Sequence, residues 1–193
     1  MFESLGWLPT FPLLGFLTLF LSGGGLPKKL VAVIGAGSIG LAFCAAVLVS
    51  LPIINGDAQV IVHEVYTWMA VGSFDAAFGL YLDGLSVVMI LVITGVGFLI
   101  HLYSTGFMID DPIYSRFFAI MNLFVAAMLV LVLADNLLLL YLGWEGFGLC
   151  SYLLIGFWYQ DPANGYAARK AFVTTRVGDT SMAIGLFLIF SQL

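Results

Sequence analysis

The chain alternates long apolar runs with short polar breaks. One run lies at about 29–51, and no charged residue occurs between Leu30 and Ile54. Others lie at about 83–105, 115–134, 136–157 and 166–191, and a first run, about 5–22, is interrupted by Pro9 and Pro12. About 20 apolar residues cross a hydrocarbon core as a helix. A helix that is apolar all round has no face for water. The pattern predicts an all-α polytopic membrane protein with about six transmembrane helices. The one long break, 52–82, is different. AQVIVHEVYTWMAVGSFDAAFGLYLD is β-branched and aromatic, with Gly72-Ser73 between two runs. It predicts a β-hairpin lying on one membrane surface, in the outer loop between helices two and three. No repeat, low-complexity tract or flexible linker divides the chain, and GGGLPKK forms a tight inter-helix loop. Residues 1–193 are expected to be a single transmembrane domain.

Composition agrees. The chain is 62% hydrophobic and 9% charged, against about 25% charge in a soluble domain. The position of the charges says more than their sum of −5. Lys28 and Lys29 lie between runs one and two, Arg116 between three and four, and Arg169 and Lys170 between five and six. The loop 52–82 and the turn at Asp135-Asn136 hold no Lys or Arg. With an even number of spans, all the basic sites fall on one side, which the positive-inside rule makes cytoplasmic. The long loop and both ends of the chain are then on the outer side of the membrane. MFESLGWLPT has no basic region of the kind that opens a cleaved signal peptide. Cys44 and Cys150 both fall inside apolar runs, so they are expected as buried free thiols rather than a disulfide or metal site.

VAVIGAGSIGLAF at 31–43 contains Gly35, Gly37 and Gly40 in the order G-x-G-x-x-G. As a dinucleotide fingerprint it would need a soluble strand–helix unit around it, and an acid about 20 residues on for the ribose. Asp57 has nearly that spacing, but the helix between has no watery face. The glycines read instead as part of a transmembrane helix, where small residues admit close neighbours. No nucleophile–His–acid set, phosphate loop or basic patch occurs, so hydrolase, nucleotide and nucleic-acid chemistry have no foothold. His63 and Glu64 in the outer loop are too few for a metal site.

Three ionisable residues lie deep in apolar helices. Glu145 sits in LLLLYLGWEGFGLCSYLLIGF, about nine residues from one end of its run and about twelve from the other, near mid-membrane at 1.5 Å per residue. Arg176 and Asp179 sit in KAFVTTRVGDTSMAIGLFLIF, with Asp179 roughly 13 Å beyond Lys170. The last two spans run antiparallel with a short loop between them, so they are expected to be neighbours, with Glu145 and Asp179 at similar depth. An unpaired charge there costs about 2.5–3.5 kcal/mol on insertion scales. Arg176 and Asp179 are i, i+3 and within ion-pair reach of each other, so a structural salt bridge is one reading. Arg176 supplies one positive charge for two carboxylates, so one acid must be protonated, see water or find another cation. Burial favours the neutral form of a carboxyl and a nearby cation the charged form, and a group poised between the two suits a proton carrier. Gly143, Gly146 and Gly148 leave space around Glu145 for water or a close helix. Weaker candidates share one stripe of the third span: Asp83, Ser86, Thr94 and His101. Asn122 reads as helix glue, and Asp135-Asn136 as a turn with an N-cap. Trp7, Trp68 and Trp158 fit aromatic belts near span ends; Trp144, beside Glu145, does not.

Residues 114–179, YSRFFAIMNLFVAAMLVLVLADNLLLLYLGWEGFGLCSYLLIGFWYQDPANGYAARKAFVTTRVGD, closely resemble the antiporter-like L chain of bacterial respiratory complex I. Complex I is the proton-pumping NADH:quinone oxidoreductase of the respiratory chain. LDGLS at 82–86, GVGFLIHLYS at 95–104 and TWM at 67–69 are similar to the same family. The resemblance implies a translocase subunit with no redox centre of its own; NADH, FMN, iron–sulfur clusters and quinone would be held by other subunits. It implies that Glu145 is the mid-membrane glutamate of the proton channel, and that Arg176 and Asp179 are the pair that modulates it. The implied partners are other membrane-arm subunits and the lipid bilayer. Chains of this family are much longer and continue into a seventh helix with a buried lysine, whereas no lysine follows Lys170 here. That implies an N-terminal portion, with a downstream half of the same subunit as a further partner. Two alternatives remain: the large subunit of a multi-subunit cation/proton antiporter, and a truncated scaffold with no proton route.

Overall fold

A computed structural model describes residues 5–71 and 74–192. Its order is α1 (Trp7–Leu21), α2 (Lys28–Ile54), β1 (Ile61–Val71), β2 (Phe74–Leu82), α3 (Gly84–Phe107), α4 (Tyr114–Leu133), α5 (Leu137–Ile155) and α6 (Pro162–Gln192). The protein is a polytopic helical membrane protein with one hairpin. Five of its helices, α2 to α6, are long and apolar enough to cross a membrane. The sixth expected span differs: α1 has 15 residues, about 22 Å at the helical rise, against a core of about 30 Å. Pro9 is accommodated in its first turn, where its missing N–H has no intrahelical partner to lose. Pro12 falls inside the helix.

The hairpin is antiparallel, in register from Ile61↔Leu82 to Val71↔Phe74, with irregularities between Glu64 and Tyr66 and between Thr67 and Met69. The expected Gly72-Ser73 turn lies outside the described residues. Ile61, Leu80 and Leu82 at the hairpin base are buried with Leu129, Leu133 and Leu139. Asp83 then starts α3: its backbone is extended and its carboxylate accepts from the Ser86 N–H at 2.8 Å. At the opposite end of the bundle a second core joins Leu19, Val31, Phe118, Cys150 and Phe157.

The helix α4 is central and packs on α1, α2, α3 and α5, while α6 packs on α5. Asn122 of α4 is fully buried. Its side-chain amide donates to the carbonyls of Gly35 (3.2 Å) and Phe118 (2.9 Å), and its oxygen accepts from the Ser38 hydroxyl. Both its amide hydrogens and its oxygen are engaged, as helix glue requires.

Through the G-x-G-x-x-G segment α2 continues unbroken. A Cβ at Gly35 would stand 2.6 Å from the Phe118 ring and one at Gly40 would stand 3.1 Å from Phe98, while Gly37 faces open space. Two of the three glycines therefore serve helix–helix approach. Gly35→Ala is expected to destabilise the fold by about 1–3 kcal/mol through overpacking. Gly37→Ala should be neutral or stabilising by up to about 1 kcal/mol. Melting of the detergent-solubilised variants compares them; equal effects at both positions would contradict this packing.

Cys150 is buried as expected, but Cys44 is exposed. It shares a face of α2 with Leu41 and Leu48, 57% and 66% exposed, left uncovered among the described residues. An apolar run marks a span but does not say which of its faces meets protein.

Candidate functional site: a charged seam between α5 and α6

Both ends of α5 are held. At its start, Asn136 has an extended backbone, and its side-chain oxygen accepts from the Leu139 N–H at 2.8 Å. The amide nitrogen of the same side chain donates to the Ala77 carbonyl of β2 at 2.7 Å, so this N-cap also ties α5 to the hairpin. At the far end the chain turns through residues 156–161 into α6, and the Trp158 indole donates to Asp111 at 2.9 Å. The short turn makes α5 and α6 antiparallel neighbours, as the spacing of the runs predicts.

On the side toward α4, α5 comes very close. A Cβ on Gly143 would stand 2.6 Å from the Leu131 backbone nitrogen, and one on Gly146 would stand 3.2 Å from Ala127. Gly148 has open space. The glycines around Glu145 thus divide their work: two admit a helix and one leaves room.

On the side toward α6, Glu145 meets Arg176. The guanidinium donates to Oε2 of Glu145 in an ion pair whose side chains are 41% (Arg176) and 18% (Glu145) exposed. The other carboxylate oxygen accepts from the Tyr141 hydroxyl at 2.7 Å. Arg176 also lies over the Phe172 ring, 4.8 Å from its centre. Asp179 is 6% exposed and accepts from the Trp144 indole N–H at 2.7 Å.

Of the readings that the spacing left open, the Arg176–Asp179 salt bridge is not the pair seen. The i, i+3 spacing does put both groups on one face of α6, but that face meets α5, where Trp144 and Glu145 are adjacent in sequence. The cation goes to Glu145 and the second acid takes a neutral donor. The indole gives Asp179 a hydrogen bond and no charge, so one cation still serves two carboxylates. Tyr141 and Trp144 are the partners that sequence reading left unassigned. Signals for both existed: Tyr141 is i−4 from Glu145, and a mid-span Trp needs an acceptor for its N–H.

Asp83 and His101 are not part of this seam. Asp83 caps α3, which packs on α2 and α4. His101 is fully buried, with Nδ1 2.8 Å from the Gly97 carbonyl oxygen. Thr94 and Ser104 on its stripe are buried too, and each hydroxyl donates to the carbonyl four residues back. Among the described residues no three His, Cys, Asp or Glu side chains group as a metal site.

Two family models match the chain: residues 68–118 match "NADH-Ubiquinone oxidoreductase (complex I), chain 5 N-terminus", and residues 134–193 match "NADH:quinone oxidoreductase/Mrp antiporter, TM". The second match contains Tyr141, Trp144, Glu145, Arg176 and Asp179. NADH-quinone oxidoreductase subunit L of Escherichia coli K12 is 53% identical over 182 residues, covering 94% of this chain and 30% of that protein. The chain belongs to the antiporter-like family of NADH:quinone oxidoreductase membrane subunits. A second subunit L, from Pseudomonas aeruginosa, is 54% identical over 187 residues, 94% of this chain and 30% of the relative. The chain thus spans about 30% of the length of these curated relatives. The same fold is also seen in solved structures. A chain of the archaeal membrane-bound sulfane sulfur reductase matches with a TM-score of 0.77 at 20% identity, over 98% of this chain and 28% of that one. A chain of the Mrp complex from Dietzia matches with a TM-score of 0.68 at 25% identity, over 92% and 18%.

Proposed function

We propose that this chain moves protons as part of the membrane arm of an NADH:quinone oxidoreductase, with Glu145 as the carrier and Arg176 and Asp179 as the groups that set its charge. The observation that carries this is the allotment of one cation between two mid-membrane carboxylates. Arg176 is paired with Glu145. Asp179 lies one turn along the same helix and within reach of the same guanidinium. When the guanidinium moves from Glu145 toward Asp179, Glu145 loses its counter-charge and takes up a proton. When it returns, the proton leaves.

Redox chemistry on other subunits drives this exchange. NADH, FMN, iron–sulfur clusters and quinone are bound there, and this chain supplies no ligands to them. Its neighbours are other membrane-arm subunits, lipid and the remaining length of the same kind of chain that its relatives contain. The basic loops face the cytoplasm and the hairpin faces the periplasm of a bacterial inner membrane.

A second reading, the large subunit of a multi-subunit cation/proton antiporter, is favoured by the likeness to the Mrp chain and by the shared family model. Cation-dependent proton movement without NADH oxidation would select it. The test of the main reading is Glu145→Gln in the assembled complex, followed by proton uptake per NADH oxidised. Unchanged uptake would leave the chain a scaffold.

A further inference from the structure

The seam between α5 and α6 is built differently on the two sides of Glu145. Tyr141, Glu145, Gly148 and Tyr152 follow at helical spacing and share one face of α5. Toward the hairpin end, the Tyr141 hydroxyl is one turn from Glu145 and donates to its Oε1 at 2.7 Å. Toward the other end, Gly148 leaves open space where a side chain would stand. One turn further, the rings of Tyr152 and Phe172 of α6 lie 5.2 Å apart. Arg176 occupies Oε2 of the carboxylate, so Oε1 is the oxygen left for proton exchange, and its partner is a hydroxyl on one side only.

We infer that Tyr141 is the relay through which Glu145 exchanges protons with the hairpin side of the membrane, a role that rests on Glu145 being the carrier. A hydroxyl can accept on its lone pair while it donates its own hydrogen. The protonated Glu145 gives its Oε1 hydrogen to the Tyr141 oxygen as the Tyr141 O–H bond breaks toward a water molecule on the hairpin side. One O–H bond forms at the phenol and one is lost, so Tyr141 stays neutral throughout. A free phenol ionises only near pH ~10, so the group passes a proton and does not store one. The space at Gly148 supplies the opposite side, where water can reach the carboxyl without a side-chain relay.

The test compares three variants in proteoliposomes holding the intact membrane complex, with proton uptake per NADH oxidised as the readout. Glu145→Gln first defines the Glu145-dependent part of transport; if there is none, the carrier reading itself fails. Tyr141→Phe keeps the ring and removes the hydroxyl, and it is expected to lower the Glu145-dependent part at least about tenfold. Tyr141→His restores a group that can accept and donate, and it is expected to regain transport with an added pH dependence near neutrality from the imidazole. Full transport in Tyr141→Phe overturns the relay while leaving Glu145 as carrier. Equal loss in Tyr141→Phe and Tyr141→His, in complexes that assemble normally, also overturns it and makes Tyr141 a packing residue.

Discussion

Glu145→Gln is expected to lower this chain's share of proton transport at least about tenfold while the complex still assembles. Glutamine has nearly the shape of glutamate. Its amide oxygen can still accept from Tyr141 or Arg176, both of which bond the native carboxylate. It carries no charge and cannot gain or lose a proton near neutrality. Arg176 is left without its counter-ion, but it is 41% exposed and lies one turn from Asp179, so a second carboxylate is available to it. Stability should therefore change less than transport. Glu145→Leu is the contrast. It removes the acceptor as well as the charge, and breaking a buried pair costs up to about 3–5 kcal/mol, reduced here by the partial exposure of Arg176. Its assembly should suffer, and comparison of the two separates a carrier from a structural partner. Dye-quench assays of proton uptake, with melting of the purified complex alongside, give both numbers. If Glu145→Gln lost assembly as badly as Glu145→Leu but pumped normally once assembled, the carboxyl would be glue.

The parts of this fold that were legible from sequence are those set by the solvent. Length and apolarity placed α2 to α6 within a few residues of their observed bounds, because a bilayer demands an uninterrupted helix and marks its ends. The hairpin was legible because its β-branched and aromatic run could not be a span. Asn136 was legible as a cap because an extended Asn before a helix satisfies a free N–H. What sequence did not reveal was which groups face each other across two helices. Arg176 and Asp179 share a face of α6 at i, i+3, and that spacing alone favours pairing within the helix. The outcome depends on Trp144 and Glu145 standing opposite, a fact of helix rotation that no single-helix period contains. Cys44 shows the same limit: the run around it fixes depth, but only the placement of α1, α3 and α4 decides that its face of α2 is uncovered. The short α1 has a third cause. Its two prolines lie within the helix, whose 15 residues fall short of the apolar run that hydropathy reads.

Gly143→Val is expected to destabilise the fold by up to about 3 kcal/mol, and to abolish transport without touching a charged group. In a membrane the helices have no hydrophobic drive toward each other, so α4 and α5 hold together through close van der Waals approach. A Cβ at position 143 would stand 2.6, 2.7 and 2.9 Å from N, Cα and Cβ of Leu131. Two of those atoms are backbone, which cannot rotate away, and Leu131 lies within α4, the helix that also packs on α1, α2 and α3. Relief must come from α5 moving off. That movement would strain the Asn136 bond to Ala77 at one end and shift Glu145 against Arg176 two residues beyond the clash. Overpacking of a core typically costs about 1–3 kcal/mol and occasionally more; a branched side chain against backbone belongs at the upper end. Gly148→Ala meets nothing within 4 Å and should leave melting unchanged. A lower melting temperature for Gly143→Val, with Gly148→Ala melting as the native chain does, supports this contact as the one that sets the distance of Glu145 from the rest of the bundle. Normal melting and normal transport in Gly143→Val would mean that α5 does not sit against α4 in the membrane, and the seam with α6 would have to be rebuilt from another contact.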